Sequence, residues 1–236
     1  MNIKVIATGS SKKERSIRRW GVSFLIGEGV LFDAFGDSDV FQNNIQKFNI
    51  DTVKIKRIIL SHDDWDHVTG LWDLLPGRKD VTVYICPGFQ QEIKDKISSF
   101  GVNLVEAEGV TQIKDGIYST GELCGESQGR KIYEQSAVIK TADGLAIICG
   151  CAHPGVVNIV RHVQERFCED ICVLIGGFHL KDNTDELNRC IIADLRELGV
   201  RRIAPMHCTG EAATEMMRKE FGRDFIQTGE GRSIEL

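Results

Sequence analysis

Between Ser61 and His67 the chain reads Ser-His-Asp-Asp-Trp-Asp-His, directly after the apolar run Ile58-Ile59-Leu60. His62, Asp64, Asp66 and His67 therefore fall within six residues at the end of an expected strand. Imidazole nitrogens and carboxylate oxygens at that density are donors for zinc, manganese or iron. Four ionisable side chains crowded at one strand end are costly to keep there without a cation to share. The competing reading is a polar turn with every side chain solvated, and histidines elsewhere in the chain weigh against it.

His153 follows the apolar run Leu145–Cys149, His179 follows Ile171–Ile175, and His207 follows Arg202–Ala204. Strand ends in a layered α/β fold converge on one rim, so these distant segments can meet there. One such histidine alone would as readily be structural. Repeated placement just beyond a strand points to a metal site. His162 sits mid-helix and reads as a surface or packing residue.

The elements that must position these groups follow from periodicity. Ile3–Ala7 is a strand leading to a polar loop, Ser10–Arg19, and Val22–Ile26 and Val30–Asp33 form a hairpin around Gly27-Glu28-Gly29. Phe41, Ile45 and Phe48 recur at helical spacing before the strand Lys56–Leu60. Val81–Cys86 and Val102–Val105 read as strands flanking a helix marked by Ile93, Ile97 and Phe100. Gly109–Arg130 reads as loops and short strands. Ser136–Lys140 and Leu145–Cys149 form a hairpin around Asp143-Gly144, whose residues readily take positive φ. The last third alternates again. A helix lined by Val156, Val160, Val163 and Phe167 precedes the strand Ile171–Ile175. A helix lined by Leu187, Ile191, Leu195 and Leu198 follows, with Asn183 and Glu186 as its capping pair and Gly199 as its stop. Arg202–Ala204, a helix over Ala212–Phe221 and a terminal strand Phe225–Gln227 complete the chain. Hairpins in both halves, each followed by helices, point to two packed sheets with helices outside.

With 236 residues the chain can bury one sizeable core, and no linker, repeat or low-complexity segment divides it, so one domain over 1–236 is expected. A formal charge of -5 argues against a general nucleic-acid binder. No apolar run is long enough to span a bilayer. The opening Met1-Asn2-Ile3-Lys4-Val5 lacks the order of a signal peptide. Eight cysteines scattered through apolar segments read as reduced, buried thiols, which suits a cytoplasmic location.

The order of Asp33 in Leu31-Phe32-Asp33-Ala34-Phe35-Gly36, then His62-x-Asp64-x-Asp66-His67, then isolated later histidines resembles the metallo-β-lactamase-fold superfamily. The central motif of that superfamily is His-x-His-x-Asp-His. Trp20-Gly21-Val22-Ser23-Phe24-Leu25-Ile26, Gly150-Cys151-Ala152-His153-Pro154-Gly155, Gly176-Gly177-Phe178-His179-Leu180 and His207-Cys208-Thr209-Gly210 resemble one branch of it. Members of that branch are often labelled 7,8-dihydropterin-6-methyl-4-(β-D-ribofuranosyl)aminobenzene-5′-phosphate synthase. The resemblance implies an α/β fold, a four-layer αββα sandwich of two mixed β-sheets with a metal site at one sheet edge.

By motif, the resemblance places His62 and Asp64 at a first metal, and Asp66, His67 and His207 at a second. His153 is the candidate for the remaining imidazole ligand, and Asp33 for orienting a ligand from behind. A Gly-Asp is expected after a late strand as the bridging ligand and is not evident; Cys151, His179 or a water could stand in for it. Asp64 replaces the second histidine of the motif. A carboxylate there makes the site harder, tilting it toward manganese or iron, or weakens it until only one metal binds. One or two divalent ions are expected, with zinc ahead of manganese or iron.

The implied chemistry is metal-assisted attack by water, whose pKa falls from about 16 toward 7 on a cation. Asp66 would accept a proton, and His179 would be a ligand, a proton donor to the leaving group or a substrate contact. The expected function is a metal-dependent hydrolase acting on a small anionic molecule, phosphorylated ones included. Pterin–aminobenzene coupling by a transferase-like synthase and a non-catalytic metal or ligand sensor are the alternatives.

Two further features bear on substrate. The loop Ser11–Arg19 carries five basic residues, among them Arg15, Arg18 and Arg19. It is either a solvated run or an electrostatic lip for phosphate, which suits the planar fork of arginine. Trp65 is either a pocket wall or a residue packed beneath its loop. Cys149 and Cys151 would share one face of a strand, although Cys149 fits the core better. Cys168 and Cys172 read as packed beside a helix end, and the remaining cysteines as core.

Overall fold

The central strands, such as Val22–Ile26, Leu145–Cys149 and Ile171–Ile175, are apolar on both faces, so each sheet needs two coverings. The computed structural model describes the backbone of residues 1–236 and every side chain but that of Lys12. The chain opens with β1 (Asn2–Gly9), α1 (Lys12–Ser16), β2 (Gly21–Ile26), β3 (Val30–Phe32), α2 (Ser38–Lys47) and β4 (Arg57–Ile59). The short helices α3 (Trp65–Val68) and α4 (Leu71–Leu74) precede β5 (Thr82–Ile85), α5 (Gln91–Ser99) and β6 (Asn103–Glu106). Six strands follow: β7 (Thr111–Lys114), β8 (Ile117–Ser119), β9 (Leu123–Ser127), β10 (Arg130–Glu134), β11 (Ala137–Thr141) and β12 (Gly144–Cys149). The chain then alternates through α6 (Val156–Phe167), β13 (Ile171–Gly177), α7 (Asp185–Glu197), β14 (Arg202–Met206), α8 (Glu211–Phe221) and β15 (Ser233–Glu235).

Two mixed sheets result, ordered β15-β1-β2-β3-β4-β5-β6 and β14-β13-β12-β11-β8-β7. Their facing sides share one apolar core, in which Val5, Phe24, Phe32 and Ile59 meet Ala137, Ile148, Val173 and Ile175. The outer face of the first sheet packs Leu31, Ile58 and Val83 against Phe41, Ile45 and Ile97 of α2 and α5. The outer face of the second packs Ile147 and Leu174 against Val160, Leu195 and Met217 of α6, α7 and α8. The architecture is the four-layer αββα sandwich of two mixed sheets expected from the sequence.

Parallel pairing decides where the chemistry collects. β3, β4, β5 and β6 run parallel in one sheet, as do β12, β13 and β14 in the other. Their C-terminal ends give onto one rim, and Asp33, His62, Cys151, His153, His179 and His207 all lie just beyond such ends. β9 and β10 stand apart as a two-stranded hairpin, joined by Gln128-Gly129, both with positive φ.

Several local expectations need correction. The loop Ser10–Arg19 contains α1, nucleated by a reciprocal Ser11–Glu14 capping box. α7 is capped by Thr184 rather than Asn183, because the Thr184 hydroxyl is the group that accepts Leu187 N–H, at 3.3 Å. The terminal strand is β15, paired with β1, whereas Phe225 makes only an isolated bridge to Ile203. Cys124, Cys168 and Cys190 are exposed, and Cys168 ends α6 in the left-handed region where a glycine is more usual. Among the described residues no helix is long and apolar enough to cross a membrane.

Phe24 is fully buried between the sheets, with its ring 6.2 Å from that of Phe32. Phe24→Ala should therefore lower the unfolding free energy by about 3–5 kcal/mol in urea titration, an effect expected only if the facing sheets form one core.

Candidate metal centre

The site is built on hydrogen bonds that fix which nitrogen of each imidazole carries the proton. Asp33 lies just beyond β3 and is completely buried. Its carboxylate accepts Ser61 N–H at 2.7 Å, Ser61 Oγ–H at 2.7 Å and His67 Nδ1–H at 2.7 Å. Since the Ser61 hydroxyl donates to Asp33, its oxygen accepts from His62 Nδ1 at 2.8 Å. His153 Nδ1 donates to Glu134 Oε2 at 2.9 Å, and His207 Nδ1 donates to the carbonyl of Gly9 at 2.9 Å. A carbonyl can only accept, and the Gly9 carbonyl lies nearer to Nδ1 than the Gly21 N–H, which approaches the same nitrogen at 3.2 Å, so the proton on His207 is placed at Nδ1. Four histidines thus present Nε2 lone pairs to one another's neighbourhood.

Those lone pairs converge. Cys151 Sγ is 3.4 Å from His67 Nε2 and 3.2 Å from His207 Nε2. Asp66 Oδ2 lies 3.3 Å from His67 Nε2 and 3.5 Å from His207 Nε2. On the other side, the His62 ring is 4.1 Å from that of His67 and 4.7 Å from that of His153, centre to centre. His62, Cys151 and His153 have ligand atoms within 4.8 Å of one another, as do His67, Cys151 and His207. His62 Nε2 is buried with no hydrogen-bond partner. An orphaned imidazole nitrogen beside nitrogen, sulfur and carboxylate donors is a fit for a divalent cation.

The electrostatics agree with that fit. Burial acts against a charged His67, but Asp66 and Asp33 on either side hold its pKa well above the usual value. Burial would raise the Asp66 carboxyl, yet His67, with His207 and His62 behind it, keeps it well below the ordinary range. Burial and the neighbouring His67 drive the pKa of His62 well down, against the opposing pull of Glu134 and Asp66. Burial lowers His207 as well. Burial, with Cys208 alongside, pushes the Cys151 thiol well up. Without a cation the cluster retains protons that a cation displaces on binding.

Backbone strain concentrates here. Asp33, Phe35, Ala152, His179 and His207 all have φ between 54° and 60°. Side chains at positive φ are uncommon, and a cluster of them marks a place where surrounding structure holds geometry against local preference. Gly150 shows why the approach is close: a Cβ there would stand 2.2 Å from Ser61 Oγ.

Above the cluster lies a cleft of 370 Å³. Its walls include Trp20, Trp65, His153 and His179, and Arg15, Arg130 and Lys181 add positive charge. Trp65 is an exposed wall of the cleft rather than a packed residue. Arg18 lies over the Trp65 ring, 4.9 Å from its centre. Arg19 departs from the expected lip, since its guanidinium turns to Asp37 at 3.5 Å. Asp64 pairs with Arg130, while its Oδ2 stands 3.7 Å from His62 Nε2. His179 ring packs 4.5 Å from that of His153, with Nδ1 buried and unpartnered. His162 lies away from the cluster, 3.3 Å from the Thr120 carbonyl.

Residues 29–119 match the beta-lactamase superfamily domain. The crystal structure of Tm1679, a metal-dependent hydrolase of the beta-lactamase superfamily, superposes with a TM-score of 0.81. That likeness covers 100% of this chain and 99% of the other, at 28% identity. This chain has the metallo-β-lactamase fold. A 7,8-dihydropterin-6-methyl-4-(beta-D-ribofuranosyl)-aminobenzene-5′-phosphate synthase from Methanocaldococcus jannaschii is 28% identical, over 92% of this chain and 90% of that protein. The metallo-β-lactamase fold protein YhfI from Bacillus subtilis shares the fold at 13% identity, with a TM-score of 0.70 over 99% of each chain.

Within this metallo-β-lactamase fold, one residue that sequence reasoning missed holds half of the rim. Glu134, at the end of β10, is completely buried. Its Oε1 accepts the N–H groups of Cys151 and Ala152 at 2.9 and 2.8 Å, and its Oε2 accepts His153 N–H at 2.8 Å. The available signal was alternation: Ile132 and Glu134 share a face of β10, and an acid on a buried face needs a partner. Ser61, Cys208, Arg130 and Lys181 were likewise unassigned.

Burial opposes ionisation of Glu134, but the His153 hydrogen bond, the charges of His62 and His153 and the loop amides hold its carboxyl well below the usual range. Its contribution to stability is therefore complete above the unfolded pKa of about 4.3 and is lost as pH falls through the lower folded value. Glu134→Gln should cost about 3 kcal/mol at neutral pH, and urea titrations should show the gap to the parent chain narrowing below about pH 4.

Proposed function

We propose that this protein is a metal-dependent hydrolase acting on a small anionic substrate. The observation that carries the reading is the convergence of four Nε2 lone pairs, one of them buried and unpartnered, beneath a cleft rimmed by Arg15, Arg130 and Lys181. His62 and His153, with Asp64 at their edge, would hold one divalent cation, and Asp66, His67 and His207 a second. When bound, such a cation makes water acidic enough to serve as a nucleophile near neutral pH and withdraws charge from the attacked group.

The chain's own residues supply the rest. Asp33, Glu134, Ser61 and Gly9 keep the imidazoles in the tautomer that faces the site. Asp66, buried and ionised, is placed to take a proton from the nucleophile. His179 lines the cleft with its ring free to give a proton to a departing group. Arg15 and Lys181 draw the anion in, and the Trp20 and Trp65 rings close the walls. Zinc suits the imidazole-rich donor set better than manganese or iron.

The Methanocaldococcus jannaschii relative, named as a synthase of a dihydropterin-methyl-aminobenzene phosphate, supports a second reading, a coupling in which an aminobenzene ring carbon attacks the methylene of a pterin pyrophosphate, pyrophosphate leaves and the ring proton is lost. The same cations and basic rim would then serve the leaving group. Anaerobically purified protein, assayed with phosphodiester, lactone, thioester and pterin pyrophosphate substrates, separates the two. Hydrolysis of one of the first three should dominate; coupling without hydrolysis would favour the second reading.

Three measurements probe the roles. His67→Ala should abolish turnover while circular dichroism shows an intact fold, and full activity in that variant, or a parent chain that binds no transition metal, would sink the metal-dependent reading. His179→Ala should lower kcat by about 10²–10⁴ for a poor leaving group, yet recover most of the loss with a phenolate that leaves without a proton. Arg15→Ala should raise KM more for a phosphorylated substrate than for its neutral analogue, with a smaller effect from Arg19→Ala.

A further inference from the structure

One atom belongs to every set of converging ligands in the site. Cys151 Sγ groups with the ligand atoms of His62 and His153 on one side and with those of His67 and His207 on the other. No carboxylate occupies the end of β13, which runs into Gly176-Gly177-Phe178-His179 instead. The central position between the two imidazole pairs is filled by a thiol that arrives from the end of β12. We propose that the Cys151 thiolate bridges two divalent cations, one held with His62 and His153 and the other with His67 and His207. This rests on the metal-dependent reading above and specifies the ligand that joins its two halves.

Three observations bear on it independently. His62 Nε2 is completely buried and has no hydrogen-bond partner, so the half of the site farther from Asp66 also offers a free lone pair to a cation. The sulfur is held rigidly, because Cys151 N–H and Ala152 N–H both bind Glu134 Oε1 and Ala152 takes φ of 60° to turn the loop. The backbone beside it has been cleared, since a Cβ on Gly177 would meet the Gly150 carbonyl at 2.3 Å and Cys208 Sγ at 2.7 Å. Cys208 is the competing thiol. It groups with Cys151 and His179, but its sulfur accepts His179 N–H at 3.3 Å and its S–H faces the Cys151 carbonyl at 3.6 Å. These contacts make it a support beneath the bridge.

The chemical consequence is a softer centre than one bridged by a carboxylate. Sulfur favours zinc and cobalt over manganese and magnesium. As each metal–sulfur bond forms, the electron pair comes from the thiolate, and the single thiol proton leaves to solvent with the first.

Cobalt reports this directly through sulfur-to-cobalt charge transfer in the near ultraviolet. The full chain, prepared anaerobically without metal, is titrated with Co²⁺ alone while bound cobalt is measured by elemental analysis. Absorption should grow through two equivalents, disappear in Cys151→Ser and persist in Cys208→Ser. Growth that stops at one equivalent while a second cobalt binds silently would overturn the bridge, even if no cysteine variant folded. So would a band that survives in Cys151→Ser, or two bound cobalt ions with no band. A chain that takes up no cobalt at all would overturn the bridge and the metal-dependent reading together.

Discussion

A buried imidazole holds a lone pair in a fixed direction when its other nitrogen keeps the proton and donates that N–H to an acceptor. Around this site four acceptors perform that task, and they come from four parts of the chain. The Asp33 carboxylate follows β3, the Ser61 hydroxyl follows β4, Glu134 ends β10 and the Gly9 carbonyl ends β1. Each acceptor is buried or at a strand end, so each depends on the packing that puts its strand in place. The two sheets therefore matter to the chemistry less as a container than as the device that fixes tautomers. Removing an acceptor would leave its ring present but aimed wrongly, with a proton where a lone pair is needed.

The same requirement explains where the backbone is strained. Asp33, Ala152, His179 and His207 each sit at the turn that carries the chain away from a strand end, and each adopts the left-handed region. A residue that followed its preferred backbone would carry the side chain past the rim. The layers on either side, apolar throughout from Val5 to Ile175, supply the stability against which such turns are held.

Much of this was legible in the amino-acid order. Alternation and helical spacing marked the main strands and helices, and histidines recurring just past apolar runs marked the rim on which they meet. What escaped notice has physical reasons. Glu134 lies in a stretch whose hydrophobic pattern is weak, so its burial could not be told from that of a solvated acid until β10 was seen against the β12 loop. Ser61 looked like a turn residue, because the partner that makes its hydroxyl useful, Asp33, is 28 positions away. Arg19 looked like its neighbours Arg15 and Arg18, and only the direction of α1 turns it to Asp37. β15 is three residues long and owes its pairing to β1, a contact that no local pattern announces.

The β9–β10 hairpin joins the mouth of the cleft to its floor along a single strand. Arg130 meets Asp64 at the opening, Ile132 is buried, and Glu134 grips the Cys151–His153 loop below. On its other face Tyr133 lies so near Gly88 that a Cβ there would stand 2.2 Å from the ring. Because side chains alternate with period two, inserting or deleting one residue between Arg130 and Glu134 would turn the acid out of the floor and break both faces at once. Single-residue changes of length in this hairpin are therefore accommodated at the Gln128-Gly129 tip rather than along the strand. The entrance is open to diversification while the register beneath it is inherited intact.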